Sequence, residues 1–181
     1  MSSLPVLTEI DALRARARTH LEEGAVTASY GADRVEVLKM LNAALATEIV
    51  CVLRYRRHHF MARGIHAKGP ADEFLVHSNE EQAHADRLAQ RIVQLGGEPD
   101  FDPDRLTSRS HAQYVPGSTL AEMINENLVA ERIAIDSYRE MIQYLGDRDP
   151  TTGQLLRDIL LVEEKHADEL SSWMAGALTS A

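Results

Sequence analysis

The sequence predicts an all-α fold in which four long helices form a bundle, with a long crossover between the second and the third helix. Three observations support this fold class. Apolar residues recur at alternating steps of three and four along four stretches of the chain, which is the period of a helix that packs against other helices. Aromatic residues make up only 5% of the 181 residues, which favours aliphatic helix packing. The three predicted connections are short, long and short, and the long one allows the crossover.

Each predicted helix has a start or stop signal in the sequence. The four helices span, in order, residues 33–63, 70–95, 119–146 and 150–174. Asp33 is a predicted N-cap, and Pro70 suits the first turn of the second helix. Thr119 and Glu122 fit a capping box at the start of the third helix. Residues 98–117 contain Pro and Gly without a sustained helical period, so we expect them to form the long connection.

An extra amphipathic helix is predicted before the bundle. It runs from Pro5 to about Glu23, with apolar residues along one side and Gly24 as its stop. Its arginines alternate along the chain, and alternate residues on a helix lie about 200° apart, so they form no single basic face. We therefore expect a helix docked on the bundle, with a DNA-binding arm as the less favoured alternative. The predicted domains are residues 1–30, helix and linker, and residues 31–181, the bundle.

The composition excludes several classes of protein. Cys51 is the only cysteine, so one chain can form neither a disulfide nor a Cys-based zinc or iron–sulfur site, and a reducing compartment is expected. The N-terminus has no secretory signal, and no apolar stretch approaches the ~20 residues that span a bilayer. A net charge of −9 argues against sequence-independent binding to nucleic acid. We expect a cytoplasmic protein with no membrane association, and nucleic acid is not an expected partner.

Six ionisable residues interrupt the apolar stripes at mid-height of the predicted bundle. They are Glu48 on the first helix, Glu81 and His84 on the second, Glu131 on the third, and Glu163 and His166 on the fourth. Burying a carboxylate without a partner is costly, and the stripes offer no Lys or Arg at these levels. Two divalent cations would cancel the charge of four facing carboxylates.

The spacing of these residues supports metal binding. The second and fourth helices each carry Glu-x-x-His, which places a carboxylate and an imidazole about 60° apart on one helical face. Each motif follows a single inward Glu on the preceding helix, by 33 residues in the first pair and by 32 in the second. This is the ligand set of di-iron and di-manganese carboxylate proteins. Oxygen-rich ligation with one imidazole per metal suits iron or manganese.

A family resemblance is carried by the segments MLNAALATEIVCVLRYRRHHFMARG, EEQAHADRLAQRIVQLGGEPD, NENLVAERIAIDSYREMI and LVEEKHADEL. Over about residues 33–174 the chain resembles the bacterioferritins. The resemblance implies a ferritin-like fold and a ferroxidase centre with two iron ions per chain. Its implied metal ligands are Glu48, Glu81, His84, Glu131, Glu163 and His166. It also implies that Glu81 and Glu163 bridge the metals, and that Glu48 and Glu131 are terminal ligands.

Two departures from the bacterioferritin pattern affect the expected cofactors and assembly. Bacterioferritins bind haem through a Met directly after the second-helix Glu, and Gln82 stands there in this chain, so haem is not expected. The family commonly has a short fifth helix, whereas only seven residues follow Met174 and an extra helix is predicted at the N-terminus. We expect a homo-oligomer built from dimers. The sequence leaves three assemblies as alternatives: a 24-subunit cage, a smaller Dps-type shell and a dimer.

The predicted function is ferroxidase activity for iron storage, detoxification and protection from oxidative stress. Two Fe(II) ions would bind per chain and be oxidised by dioxygen or hydrogen peroxide, with manganese as the other metal considered. One alternative is a di-metal peroxidase or catalase-like enzyme on the same ligands. The other is a Dps-type DNA-protecting mini-ferritin, although the first residues, MSSLPVLTE, are not basic.

Five further residues are candidates for a functional role or for packing. Tyr55 either takes part in the function, by hydrogen-bonding a carboxylate of the centre or by donating an electron, or is a packed core tyrosine with a satisfied hydroxyl. His77 is either an iron uptake ligand or, in the favoured interpretation, a packing residue. His58 and His59 are adjacent, so only one faces inward, and the apolar stripe runs through His59. Cys51 is expected to be a small buried residue.

Overall fold

Four long helices make up most of the described chain. The computed structural model describes residues 8–179, with side chains described through residue 175. The helices are α1 (Ile10–Arg16), α2 (Arg34–Met61), α3 (Lys68–Gln94), α4 (Leu106–Arg109), α5 (Leu120–Leu145) and α6 (Pro150–Thr179), with 3-10 turns at Leu21–Glu23 and Pro103–Arg105. No β-strand occurs between residues 8 and 179, so the all-α prediction is confirmed.

The two strongest capping predictions are confirmed. The Asp33 carboxylate accepts hydrogen bonds from the backbone N–H groups of Val35 and Glu36, at 3.0 and 3.3 Å. Thr119 accepts the N–H of Glu122, whose carboxylate accepts the N–H of Thr119 in return, which completes the capping box. Each cap stabilises its helix by about 1 kcal/mol, because it satisfies N–H groups that have no partner within the helix.

The helix ends differ slightly from the predicted ones. Helix α3 begins at Lys68, two residues before Pro70, which still lies in the first turn. Helix α6 continues to Thr179, past the predicted end at Met174. Across the described residues, every helix is too short or too polar to cross a bilayer.

The bundle consists of two helix pairs, α2 with α3 and α5 with α6. Its interior has two apolar layers. The first layer includes Leu41, Leu45, Leu88, Ile92, Tyr138, Leu145, Leu156 and Ile159. The second includes Cys51, Tyr55, Phe74, Met123, Ile124 and Leu170. Along each long helix the predicted ionisable residues lie between these two layers, so the fold holds them at mid-height of the bundle.

The long connection between α3 and α5 contains more structure than its sequence predicts. It forms the short helix α4, whose Leu106 is buried against α2. The hydroxyl of Thr47 accepts the backbone N–H of His111 at 2.9 Å, and Arg54 donates to the carbonyl of Gln113 at 2.9 Å. These bonds hold the long connection against α2. The conformation of the connection therefore depends on tertiary contacts, which a helical repeat in the sequence does not reveal.

The N-terminal helix is shorter and less buried than predicted. Residues 5–7 of the predicted helix lie outside the described residues, and α1 ends at Arg16. Every residue of α1 is exposed, including Ile10 at 61% and Leu13 at 42%, so the described helix does not dock through its apolar side. His20 has a φ of 53°, which ends any continuous helix toward Glu23. The division into domains at residue 30 stays a prediction.

A buried ionic network joins the end of α3 to the start of α6. The Arg91 guanidinium donates to both carboxylate oxygens of Asp149, at 3.0 and 3.1 Å. Asp149 also accepts the N–H of Thr152 at 2.9 Å, as an N-cap does, and the hydroxyl of Tyr30 at 2.8 Å. Burial opposes the charge of Asp149, but these donors hold its pKa below the usual range.

Candidate metal centre

The structure brings all six sequence-predicted site residues together in the core. Their side chains come from all four long helices, and each residue is at most 4% exposed: Glu48, Glu81, His84, Glu131, Glu163 and His166. They lie between the two apolar layers, whose side chains are themselves buried. Burial of four carboxylates at one level is unfavourable without compensating positive charge.

The six residues form two overlapping groups of four. The first group is Glu48, Glu81, His84 and Glu163, and the second is Glu81, Glu131, Glu163 and His166. Within each group, one ligand atom per residue lies within 4.8 Å of all the others. Glu81 and Glu163 belong to both groups, which is the position that the bridging prediction requires. Their assignment as metal ligands stays a prediction.

His84 points its Nδ1 atom at the first group of carboxylates. Nδ1 lies 2.9 Å from Glu163 Oε1, 3.3 Å from Glu81 Oε2 and 3.4 Å from Glu48 Oε2. The Glu-x-x-His spacing produces this contact, because residues three apart on α3 share one face. One nitrogen and three carboxylates therefore converge at this end of the centre.

His166 faces the second group in the same way and has an additional carboxylate behind it. Its Nδ1 lies 3.3 Å from Glu81 Oε1 and 3.8 Å from Glu131 Oε2. Its Nε2 is hydrogen-bonded to Glu80 Oε2 at 2.6 Å. A carboxylate on the far nitrogen fixes the tautomer of a metal-ligating imidazole and raises its basicity. Glu80 is not among the residues predicted from the sequence, although its position directly before the Glu-x-x-His motif is a usable signal.

Two tyrosines hold the terminal carboxylates in a crossed arrangement. Tyr55 on α2 donates its hydroxyl hydrogen to Glu131 on α5, and Tyr138 on α5 donates to Glu48 on α2. Each tyrosine thus contacts the carboxylate of the opposite helix pair. Tyr55 is thus a buried tyrosine that hydrogen-bonds a carboxylate, and a role in electron donation stays a prediction.

Several inward-facing atoms of the centre have no hydrogen bond within the described part of the chain. They are Glu48 Oε2, Glu81 Oε1, Glu163 Oε1 and His166 Nδ1. Buried polar atoms are nearly always paired, and an unpaired one costs about 1–3 kcal/mol. Four such atoms in one cluster indicate a place where another group completes the interactions.

The carboxyl groups of the centre do not all ionise together in the protein alone. Burial raises the pKa of Glu48 and of Glu163 well above the usual value, and the nearby charge of Glu81 adds to the effect. Burial also opposes the charge of Glu81, but interactions with Glu48, His166 and His84 hold its pKa well below the usual range. Protons are therefore shared among these groups, as in other facing carboxylates.

The same carboxylates attract positive charge to the two imidazoles. Burial opposes protonation of His84, but Glu48 and Glu81 raise its pKa to about 10. Burial likewise opposes protonation of His166, while Glu131 and Glu81 raise its pKa to about 11. The site thus favours cations on the side where the Nδ1 atoms and the carboxylates meet.

The donor set fits two divalent cations. Each group supplies three carboxylates and one imidazole nitrogen. Hard oxygen donors with one nitrogen suit Fe(II) and Mn(II), whereas the only thiol of the chain, Cys51, takes no part in either group. The unpaired carboxylate oxygens of Glu48, Glu81 and Glu163 and the unpaired Nδ1 of His166 belong to this cluster, so the residues present suit the metals that the sequence predicts.

His77 lies between the centre and the surface of the bundle. Its side chain is fully buried, and its ring stacks on that of His166 with the centroids 3.9 Å apart. Nδ1 lies 3.2 Å from the Tyr55 hydroxyl, and Nε2 lies 3.0 Å from Glu169 Oε2. Burial and the neighbouring His166 lower the pKa of His77. His77 is therefore packed in the core, which the favoured packing interpretation allows, and it belongs to neither of the two groups described above.

The register of the first stripe was predicted wrongly near its end. His58, not His59, faces the core, where it hydrogen-bonds Asn127 at 3.1 Å and the carbonyl of Pro116 at 3.0 Å. An α-helix has 3.6 residues per turn, so a strict seven-residue repeat drifts by about 20° per heptad. Cys51 is buried as predicted, and burial raises the pKa of its thiol.

The ferritin-like domain family matches residues 38–176 of the chain. The chain belongs to the ferritin-like family. This ferritin-like protein is 30% identical to a bacterioferritin of Mycobacterium avium over 138 residues, which cover 76% of this chain and 82% of the relative. It is 28% identical over 144 residues to a nutrient stress-induced DNA-binding protein of Nostoc sp. (strain PCC 7120), covering 77% of each.

Solved structures confirm the ferritin-like fold. The bacterioferritin-related protein of Bacteroides fragilis, described as a dodecameric thioferritin, superposes with a TM-score of 0.80 at 28% identity and covers 83% of this chain and 90% of that one. Dps from Thermosynechococcus elongatus gives a TM-score of 0.75 at 23% identity, over 77% and 90% of the two chains, and supports the fold alone. The predicted resemblance to bacterioferritins is confirmed, whereas the expectation of no nucleic-acid partner gains no support from these relatives.

Proposed function

We propose that this ferritin-like protein oxidises Fe(II) at an intra-subunit di-iron centre and serves iron storage, detoxification and protection from oxidative stress. The observation that carries the proposal is the pair of overlapping four-residue groups, each with three carboxylates and one imidazole. Kinship with bacterioferritins supports it, because iron is the metal that the names of these relatives imply.

The four carboxylates of the centre have two kinds of role in this proposal. Glu81 and Glu163 would contact both Fe(II) ions, because they are the members common to both groups. Glu48 and Glu131 are terminal ligands, and the two tyrosine hydroxyls hold them in place. The four carboxylates balance the charge of two Fe(II) ions, so binding removes the repulsion within the core.

The electron count of the proposed reaction is simple. Each Fe(II) gives up one electron, and the pair supplies two. Hydrogen peroxide accepts both electrons and yields two hydroxide ions, or dioxygen accepts both with two protons and yields hydrogen peroxide. The surrounding apolar layers restrict water, and the shared protons of the carboxyl groups leave as Fe(II) binds.

We further propose that the chain functions as a homo-oligomer. The described surface exposes large apolar side chains, among them Val35 at 74%, Phe60 at 71%, Ile65 at 93% and Leu161 at 69%. Contacts between copies would bury such groups. The bacterioferritin-related protein of Bacteroides fragilis is dodecameric, and native mass measurement of the present chain tests whether it forms a shell of that size.

The ferroxidase proposal is tested by anaerobic Fe(II) titration and by stopped-flow oxidation. We expect two Fe(II) per chain and rapid oxidation in the wild type, and loss of the rapid phase in Glu81→Ala/Glu163→Ala. Glu164→Gln is the matched control, because Glu164 lies next to Glu163 but faces solvent and pairs with Arg139. Unchanged kinetics in the double variant would contradict the assignment.

DNA protection is a second candidate function, because a relative at 28% identity is named a DNA-binding protein. The net charge of −9 argues against it. A gel-shift titration at low salt decides, since retention of DNA by the wild type supports DNA protection and free DNA at micromolar protein excludes it. A di-metal peroxidase or catalase-like activity uses the same residues, and metal analysis of native protein with a peroxide disproportionation assay separates it from iron oxidation.

A further inference from the structure

A second cluster of metal-binding groups lies outside the proposed di-iron centre, where α3 meets α6. It consists of Glu73 and His77, one helical turn apart on α3, and Glu169 on α6. Their ligand atoms lie within 4.8 Å of one another. His77 Nε2 is 3.0 Å from Glu169 Oε2 and 3.4 Å from Glu73 Oε1. None of the three belongs to the two groups of the centre.

The nitrogen of His77 that faces these carboxylates is Nε2, because Nδ1 lies against the hydroxyl of Tyr55, 3.2 Å away. Tyr55 donates its own hydroxyl hydrogen to Glu131, so its oxygen is available to accept from His77 Nδ1. In the His77 tautomer with the hydrogen on Nδ1, the Nε2 lone pair is directed at the two carboxylates. Three acceptors that face one another repel, and a cation between them removes the repulsion.

The surroundings leave this cluster open to a cation. Glu73 and Glu169 are 31% and 32% exposed at their side chains, so water has access to the side of the cluster away from the core. Lys165 approaches only the other oxygen of Glu169, at 3.5 Å, and is itself half exposed. The nearby Glu80 is already hydrogen-bonded to an imidazole of the centre and does not compete.

We propose that Glu73, His77 and Glu169 bind one divalent cation in addition to the two at the centre. One imidazole nitrogen and two carboxylate oxygens, completed by water, suit Fe(II), Mn(II), Co(II) or Zn(II). The bound cation would lie at the solvent end of a chain of contacts that runs through His77 and Tyr55 to Glu131. This places a holding position for Fe(II) directly outside the centre. The inference goes beyond the proposed function, because cation binding here requires no oxidation.

Equilibrium dialysis with Co(II), followed by metal analysis, tests the proposal on the full chain. The wild type is expected to bind one more Co(II) per chain than Glu73→Gln/Glu169→Gln, which keeps the two at the centre. Glu81→Ala/Glu163→Ala is expected to lose the centre and keep the accessory ion. The two variants separate failure of this inference from failure of the di-iron centre.

The matched control is Asp72→Asn/Asp168→Asn, which removes the same charge from the neighbouring positions of the same two helices. It is expected to bind as much Co(II) as the wild type, and thermal melting of every variant confirms folding. Equal Co(II) content in the wild type and in Glu73→Gln/Glu169→Gln would overturn the proposal, and His77 would then be a hydrogen-bonded core residue. Equal loss in the control would also overturn it, because it would show unspecific attraction to acidic surface.

Discussion

Replacing the four carboxylates of the centre by amides is expected to have two opposite effects on stability. It should stabilise the metal-free protein and should abolish the stabilisation that bound metal provides. The variant is Glu48→Gln/Glu81→Gln/Glu131→Gln/Glu163→Gln. Two like charges 4.8 Å apart, the limit within each group, repel by about 3 kcal/mol at an effective dielectric constant of 20. Shared protons remove part of this cost. We therefore expect the variant without metal to be more stable than the wild type without metal, by about 1–3 kcal/mol.

Metal is expected to reverse this order. A cation at one hundred times its dissociation constant stabilises the folded state by about 2.7 kcal/mol per site, hence about 5 kcal/mol for two sites. For a chain of this length each kcal/mol raises the melting temperature by about 2–4 °C. The wild type should therefore melt about 10–20 °C higher with Fe(II) or Mn(II), and the variant should not respond.

Melting followed by circular dichroism, with and without chelator, measures both effects. Glu140→Gln/Glu164→Gln is the control, because these two glutamates are exposed on α5 and α6. It should keep the full metal response. The reasoning is refuted if metal leaves the melting temperature of the wild type unchanged and the variant without metal is no more stable than the wild type.

The metal response should also grow with pH. Glu48 and Glu163 have raised pKa values, so without metal their contribution to stability falls as pH rises above about 4.3, the usual glutamate value. The pKa values of about 10 and 11 for His84 and His166 give stability that is present below about 6.5 and lost as pH rises through those values. Glu81 has a lowered pKa, so above about pH 5 it is ionised in both the folded and the unfolded protein. It therefore adds little to the change of stability with pH in that range. Metal binds the deprotonated groups, so the increase in melting temperature should be larger at pH 8 than at pH 5.

Three further substitutions have distinct expected outcomes. Asp149→Ala leaves the Arg91 guanidinium buried without its carboxylate, so urea denaturation should show a loss of about 3–5 kcal/mol in the free energy of unfolding. Tyr138→Phe removes the hydrogen bond to Glu48, and stopped-flow measurement should show Fe(II) oxidation slowed by roughly tenfold, which corresponds to about 1.4 kcal/mol. Wild-type protein expressed with ample haem should show no stoichiometric Soret band, and Gln82→Met should increase haem content.

Matched variants make these outcomes interpretable. Asp147→Ala changes an exposed aspartate two residues from the buried one, and it should cost less than about 0.5 kcal/mol. Tyr144→Phe changes an exposed tyrosine on α5 and should leave the oxidation rate unchanged. Equal losses in Asp149→Ala and Asp147→Ala would contradict the buried network. Equal rates for the two tyrosine variants would show that Tyr138 does not position its carboxylate, and a Soret band in the wild type would contradict the haem prediction.

The sequence was sufficient for the parts of the fold that depend on local periodicity. A repeat of three and four residues predicts which face of a helix is buried. The repeat is therefore sufficient to place the six residues of the centre on the inward faces of their helices. The capping signals at Asp33 and Thr119 were equally local, because a side chain and the N–H groups it caps are within three residues of each other. Both were confirmed.

The remaining features depend on contacts between helices, which a single helical repeat does not specify. The crossed tyrosines pair α2 with α5, and the repeat along one helix does not indicate which side chain of another helix a tyrosine will contact. Glu80 contacts His166 and Glu169 contacts His77, and both contacts form between α3 and α6. The exposure of α1 was missed for a related reason, since an apolar stripe predicts which side docks but not whether a partner surface exists.

Diffraction from crystals soaked anaerobically in Fe(II) and recorded at the iron absorption edge tests the central claim most directly. The account predicts two anomalous peaks within the bundle, about 3.5–4 Å apart, as in other two-metal sites. One peak should lie among Glu48, Glu81, His84 and Glu163, and the other among Glu81, Glu131, Glu163 and His166. Iron found only at the protein surface, with neither group occupied at saturating Fe(II), would contradict the claim that these buried carboxylates form a di-iron centre.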